Sequence, residues 1–303
     1  MSRLSERLRR EFERSLKSKV LSLDAYREGQ LEGEEIKPVD QLIREGHDPV
    51  HALYTNVNNL ISLFAEEVTV FPMFDSAHSF LAKAQDLYCP GYPPMSPITV
   101  SYYVCWTLYD VPFGKAKETI GDCFVALSDL LELQPLQIEA ARNLCQSRMG
   151  IYEVLGADAR CFRLRELVTD SEVEAIIPTG FKGKPGSLIL IRLLPPVLEC
   201  ALPHVGMTTP YVLVGCLEAD WIDYFIRHQI VPGTVGCEER LRRHMKEGKD
   251  NYYWSEFAFY GYVNYRSDAI FLAGFPDQPQ TQPAHNKYDR RTFDRDLAKS
   301  QIV

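Results

Sequence analysis

Through the first half of the chain, hydrophobic residues recur with the spacing of one face of an α-helix. Leu4, Leu8 and Phe12 mark such a face in a predicted helix over residues 2–23. The same spacing predicts helices over residues 38–46, 48–67, 113–131 and 135–146, whereas residues 101–108 are apolar without a deciding period. Because Asp48 can cap a helix and Pro49 suits a first turn, we expect one helix to begin there. Residues 1–148 are therefore predicted to be mainly α-helical.

At about Met149 the pattern changes to short apolar segments, some of which alternate with polar positions. They predict strands over residues 151–155, 162–168, 173–177, 187–194 and 211–217. Closely spaced short strands of this kind are typical of a small barrel. We therefore predict an antiparallel β-module, closed or half-closed, over residues 149–217.

The remaining sequence mixes both patterns. Helices are predicted over residues 218–230 and 237–246, followed by an aromatic segment with strand-like alternation up to residue 276. Residues 277–303 are polar and are predicted to form a flexible tail. The predicted fold class is α+β: a helical N-terminal half, a small β-barrel-like module and a mixed C-terminal segment.

Composition narrows the class of protein. Of 303 residues, 46% are hydrophobic and 24% are charged, which are globular values. The net charge of −8 disfavours broad nucleic-acid binding, which depends on neutralising phosphates with Lys and Arg. The sequence has neither an apolar run of membrane-spanning length nor a signal-peptide core, and its eight cysteines form no C-x-x-C pair. We expect a soluble cytoplasmic protein with reduced, buried cysteines.

Three segments of the β-module resemble those of a known family. They are Met149-Gly-Ile-Tyr-Glu-Val154, Phe162-Arg-Leu-Arg-Glu-Leu-Val-Thr169 and Gly186-Ser-Leu-Ile-Leu-Ile-Arg-Leu-Leu194. This pattern is similar to the small β-module of bacterial SEC-C-motif-containing proteins. The resemblance covers residues 149–217 and implies a barrel in a bacterial protein, without an activity. The Cys-rich metal signature that names the family is absent here, so zinc binding is not implied.

An acidic set at the predicted junction between a strand and a helix is the best candidate for catalysis. It consists of Glu199, Glu218, Asp220 and Asp223. Carboxylates placed in this way can hold a divalent metal for hydrolase or nuclease chemistry. Acidic residues also stabilise a helix N-terminus through its dipole, and we favour that interpretation for Asp220 and Asp223.

Two further features are typical of partner-binding surfaces. One is the basic face of the N-terminal helix and the other is the aromatic segment near the C-terminus: Arg7, Arg10, Arg14, Tyr253, Trp254, Tyr260 and Tyr262. Either feature suits a protein partner or self-association. Nucleic-acid binding through the β-module and the basic helix is the alternative.

The histidines at positions 47 and 51 are the nearest approach to a metal motif. Pro49 places a helix start between them, so His47 precedes the helix and we interpret both as incidental to a capping loop. No phosphate loop, nucleophile elbow or dinucleotide fingerprint occurs in the sequence. The sequence therefore predicts no cofactor and no metal site, and it favours a non-enzymatic interaction or regulatory protein.

Overall fold

The computed structural model describes residues 4–17, 37–69, 71–75, 98–158, 161–197, 203–247, 262–265 and 269–272, with residues 78, 81, 82, 85, 274, 275 and 277. Its helices are α1 (Leu4–Lys17), α2 (Val39–Arg44), α3 (Pro49–Thr69), α4 (Val100–Tyr109), α5 (Ile120–Ala126), α6 (Pro135–Gln146), α7 (Glu218–Arg227) and α8 (Cys237–Glu247). Its strands are β1 (Met149–Ala157), β2 (Phe162–Glu166), β3 (Glu172–Ile176), β4 (Leu188–Leu194), β5 (His204–Gly206), β6 (Tyr211–Leu213), β7 (Tyr262–Tyr265) and β8 (Ile270–Leu272). The predicted α+β class is confirmed.

Contacts between Cα atoms divide the chain into two compact units. The first unit comprises Met1–Leu81 and Thr107–Ser147, and the second comprises Ala82–Trp106 and Arg148–Val303. The change of sequence pattern at Met149 thus lies beside a boundary between units. Residues 82–106, which the pattern grouped with the helical half, belong to the second unit.

Helices of the first unit meet in an aromatic core. Leu8 and Phe12, from the predicted apolar face of α1, are buried. The Phe12 ring stacks on Phe64 of α3 with centroids 5.9 Å apart, and Phe64 meets Phe124 of α5 edge-on at 5.4 Å. Because helices in proteins gain most of their stability from burying one face, the periodicity predicted α1 and α3 well.

The helix expected over residues 113–131 is shorter than predicted, because its start is fixed by a capping box. The Thr119 Oγ1 accepts a hydrogen bond from the Asp122 N–H at 3.1 Å, and the Asp122 carboxylate accepts one from the Thr119 N–H at 2.8 Å. Upstream of this box, Phe113 and Glu118 pair their backbones as an isolated β-bridge. The helix α5 therefore begins only at residue 120.

In the second unit, five strands close into a barrel. Their order is β1-β2-β3-β5-β4 and back to β1, with every pair antiparallel except β3–β5. This connectivity is that of the OB fold, a five-stranded Greek-key barrel. The predicted barrel is confirmed, and the parallel pair corrects the expectation of an antiparallel module.

Strand β1 pairs with β4 through its first residues and with β2 through its later residues. Residues 149–153 pair with β4 and residues 152–157 pair with β2. A register shift between Val154 and Gly156 marks a bulge, and bulges bend a strand and increase its twist. The bend lets one strand complete the closed sheet.

Strand β4 is buried on both of its faces. Ile189, Ile191 and Leu193 point into the barrel, whereas Leu188 and Leu190 pack in a second cluster outside it. A strand covered on both sides has no solvent-facing side, which explains why every position of β4 except Arg192 is apolar.

The outer cluster is formed with the two C-terminal helices. Trp221, Tyr224 and Phe225 of α7 and Leu241 and Met245 of α8 are buried there. Strand β6 pairs with β4 outside the barrel, and β8 and then β7 extend the sheet beyond β6. The predicted helices over residues 218–230 and 237–246 are confirmed as α7 and α8, and their packing over the barrel was not predicted.

Two details could not be read from the sequence pattern. The apolar residues 101–108 lie in a helix, α4, and the three-residue strand β5 was not predicted. Among the residues that the structure describes, no helix is both long and apolar enough to cross a membrane.

Candidate functional site

Three of the four predicted acidic residues lie in the first turns of α7, where they have different contacts. The Glu218 carboxylate accepts a hydrogen bond from Arg165 Nη2 at 2.9 Å. Asp220 is only 2% exposed, and its Oδ2 accepts from the Leu217 N–H at 2.8 Å, which caps the helix. Asp223 is exposed one turn further on. Glu199 lies outside the described residues.

A cavity of about 610 Å³ opens beside these side chains, entirely within the second unit. Carboxylates and apolar side chains share its lining: Glu153, Glu218 and Asp223, with Leu188, Leu217 and Ile222. Its volume is within the range of about 300–1,000 Å³ that is usual for ligand-binding clefts. Of the predicted acidic residues, Glu218 and Asp223 are therefore brought to one opening, and Asp220 is not among the lining residues.

Arg165 of β2 organises the carboxylates at this opening. Its Nη2 donates to Glu153 at 2.6 Å and to Glu218 at 2.9 Å, and its Nη1 donates to Asp170 at 3.1 Å. Hydrogen bonds to these three carboxylates raise the pKa of the Arg165 guanidinium further above its usual value. One cation thus holds β1, the β2–β3 turn and the start of α7 together.

The lining contains one thiol, Cys216, among its carboxylates and apolar side chains. Burial raises the pKa of the Cys216 thiol to about 12, so this thiol is not a nucleophile at neutral pH. Within the described residues, no three or more His, Cys, Asp and Glu side chains are grouped so that they could hold a metal ion. Glu218 is paired with Arg165, and the Asp220 carboxylate accepts the hydrogen bond that caps α7.

In OB folds the face of the second and third strands binds oligonucleotides, so this face bears on the nucleic-acid alternative. Here Arg163 is opposite Glu174 and Arg165 is opposite Glu172. Each cation therefore has a carboxylate facing it, and the described strands present no aromatic ring on that side. A phosphate backbone would meet a balanced surface with no stacking platform.

The predicted partner-binding residues are only partly described. Arg7, Arg10 and Arg14 are exposed along α1, as the amphipathic pattern predicts. Tyr262 lies in β7, and its side chain is not described. Tyr253, Trp254 and Tyr260 lie outside the described residues. The role of these two surfaces in binding therefore stays a prediction.

A second group of titratable side chains lies under the outer helical layer. Tyr224 and His244 are joined by a hydrogen bond between the hydroxyl and Nε2 at 2.7 Å. The His228 and His244 rings are 4.9 Å apart, and Arg227 and His228 both contact the Asp277 carboxylate. Burial, reinforced by His228, lowers the pKa of His244 to about 4.

Sequence reasoning missed Glu153 and Arg165, although both are central to the opening. The alternation in Phe162-Arg-Leu-Arg-Glu166 was a usable signal, because it places Arg165 on the outer face of β2. The pairing of Glu153 with Arg165 depends on strand register, which no local pattern reveals.

Searches with the chain found no matching family model, no matching curated protein and no matching solved structure. The resemblance of residues 149–217 to the SEC-C-associated module therefore stays a prediction.

Proposed function

We propose that this chain is a non-enzymatic intracellular interaction protein, and that the cavity at the start of α7 binds a basic segment of a partner protein. The observation that carries the proposal is the combination of three carboxylates with apolar side chains at one opening. Such a lining suits an occupant that brings positive charge and hydrophobic surface together.

The charge at the opening favours a cation. Around it lie the carboxylates of Glu153, Asp170, Glu218 and Asp223, and the Arg165 guanidinium pairs with the first three of them. Charge complementarity steers a partner to a site and rejects partners of like charge. A lysine or arginine side chain is attracted to this opening, and a phosphate is repelled from it.

The apolar lining favours a peptide over a free cation. Leu217 is 56% exposed at the entrance, and Ile222 of α7 lines the cavity. Ile226 lies one turn beyond Ile222 and is 45% exposed, so the apolar strip continues outside the cavity. Exposed apolar surface next to charge is typical of protein-binding sites.

The test uses the full chain and a fluorescein-labelled peptide that alternates arginine and leucine. Fluorescence anisotropy compares the wild type with the double variant Glu218→Gln/Asp223→Asn. We expect the variant to bind about tenfold more weakly, which corresponds to about 1.4 kcal/mol. The matched control is Glu139→Gln/Glu174→Gln, which removes two exposed carboxylates outside the cavity and is expected to bind as the wild type does.

A second peptide, with citrulline in place of arginine, tests whether charge is recognised. Equal binding of the two peptides, or equal loss in both double variants, contradicts the proposal. The nucleic-acid alternative would replace this proposal if the chain bound a single-stranded oligodeoxythymidine in a salt-sensitive manner and Arg163→Gln weakened that binding.

A further inference from the structure

In the first unit, the start of α3 holds two histidine rings against each other. The Asp48 carboxylate accepts hydrogen bonds from the N–H groups of Val50 and His51 at 2.9 and 3.2 Å, which fixes the helix start. His47 lies just before this cap, and its N–H donates to the Leu42 carbonyl at 3.1 Å. The backbone on both sides of the pair is therefore tied down.

The two imidazole rings approach each other through their Nδ1 atoms. The Nδ1 atoms of His47 and His51 are 3.3 Å apart, and the ring centroids are 5.3 Å apart. The nitrogens therefore lie between the rings and face each other. The position of Pro49 led us to expect rings that need not face the same way, but the capped bend brings His47 back over the first helical turn.

The distance between the two Nδ1 atoms equals the distance between two nitrogens that bind the same metal ion. Two nitrogens bound at about 2.0–2.1 Å to a tetrahedral zinc ion are about 3.3–3.4 Å apart. We propose that His47 and His51 form a two-imidazole site for a divalent transition-metal ion such as Zn²⁺, Ni²⁺ or Cu²⁺.

Such a site is open. No third His, Cys, Asp or Glu in the described part of the chain joins the pair in a metal-holding group. Water completes the coordination, or a donor from another molecule takes the open positions, as open positions do in other metal sites. Without metal, the same 3.3 Å separation is an N–H···N hydrogen bond between the two rings, and the experiment must distinguish the two.

The test is calorimetric titration of the full chain, kept reduced, with Ni²⁺. Because the cysteine thiols also bind this ion, the readout is the difference between variants. We expect His47→Gln and His51→Gln each to bind one equivalent fewer than the wild type. The control is His78→Gln, since His78 is an exposed histidine elsewhere in the same unit, and it is expected to keep the full stoichiometry. Mg²⁺, which prefers oxygen ligands, should bind all four proteins alike.

Electron paramagnetic resonance of one equivalent of Cu²⁺ gives an independent readout. Nitrogen hyperfine structure is expected in the wild type and in His78→Gln, and its loss is expected in His51→Gln. Melting followed by circular dichroism confirms that each variant is folded. Equal stoichiometry in the wild type and both pair variants, or a copper spectrum unchanged by His51→Gln, overturns the proposal and leaves the hydrogen-bonded pair.

Discussion

Each unit contains an arginine that donates two hydrogen bonds to one carboxylate, and the two pairs differ mainly in burial. In the first unit, Arg9 binds Asp129 at 2.8 and 2.6 Å, with side chains 33% and 66% exposed. In the second unit, Arg148 binds Glu166 at 2.6 and 2.9 Å, with side chains 18% and 5% exposed. Both pairs are joined by two hydrogen bonds, so burial is the main difference between them.

Solvent decides what each pair contributes. Water and salt compete for an exposed pair, so losing it costs little. Glu166 is buried, so water cannot take the place of Arg148 as its partner. Its carboxylate also accepts a hydrogen bond from the Thr169 hydroxyl at 2.6 Å. Gly150 leaves room for this group, because a Cβ there would lie 2.8 Å from Glu166 Oε1. The buried pair therefore belongs to the packing of the barrel.

The largest expected effect comes from breaking the buried pair. Arg148→Met leaves the Glu166 carboxylate buried without its cation, so we expect the free energy of unfolding to fall by about 3–5 kcal/mol. All three tryptophans (Trp106, Trp221 and Trp254) belong to the second unit, so tryptophan fluorescence in urea reports on it. Arg148→Met/Glu166→Leu removes both charges and should recover part of the loss. A loss below about 1 kcal/mol in the single variant would place this pair with the exposed ones.

A second effect of burial is pH dependence in the second unit. The folded state holds His244 neutral with a pKa of about 4, against 6.5 when exposed. Between pH 4 and pH 6.5 the unfolded chain binds more protons at this histidine than the folded chain does. The part of the folding stability that depends on neutral His244 is therefore fully present above pH 6.5 and is lost as the pH falls toward 4. The total is about 3 kcal/mol.

Urea denaturation across this pH range measures the effect, with His244→Gln as the comparison. The variant should lose most of the slope. Because burial also lowers the pKa of His51 and His204, the difference between the two proteins is the relevant quantity. Parallel curves would contradict a neutral, buried His244.

A smaller effect is expected at the start of α5 in the first unit. Thr119→Ala removes the hydroxyl that accepts from the Asp122 N–H, and a lost cap costs about 1 kcal/mol. Thermal unfolding followed by far-ultraviolet circular dichroism measures it. Thr119→Ser keeps the hydroxyl and should restore stability, and an equal loss in both variants would assign the effect to the missing methyl group.

The smallest effect completes the comparison. Asp129→Asn removes the carboxylate of the exposed pair, and we expect no measurable change in unfolding. Arg9 holds the pKa of the Asp129 carboxyl below its usual value, but both groups are open to solvent and salt. A loss as large as that of Arg148→Met would show that two-pronged geometry, and not burial, sets the strength of these pairs.

The helices and strands with one clear apolar face could be predicted from the sequence. Leu8 and Phe12 lie on the buried face of α1, and Asp48 caps α3 as its residue type suggests. The apolar residues of β4 likewise predicted a strand, although its burial on both faces was not predicted. These features depend on residues a few positions apart, so a local pattern is sufficient to reveal them.

Other features depend on residues far apart in the chain. The barrel closes through a three-residue strand, β5, which pairs in parallel with β3 and is too short to carry a pattern. Arg165 meets Glu218 across 53 positions, so the acid-lined opening exists only once the strands are in register.

The sequence by itself determined the fold class, most element positions and the helix caps, because backbone preference and side-chain periodicity act over a few residues. Only the tertiary structure decided that Glu153 joins Glu218 and Asp223 at one cavity and that the rings of His47 and His51 meet. Burial and juxtaposition, which separate the Arg148 pair from the Arg9 pair, are properties of the packed chain, since they depend on which neighbours exclude water.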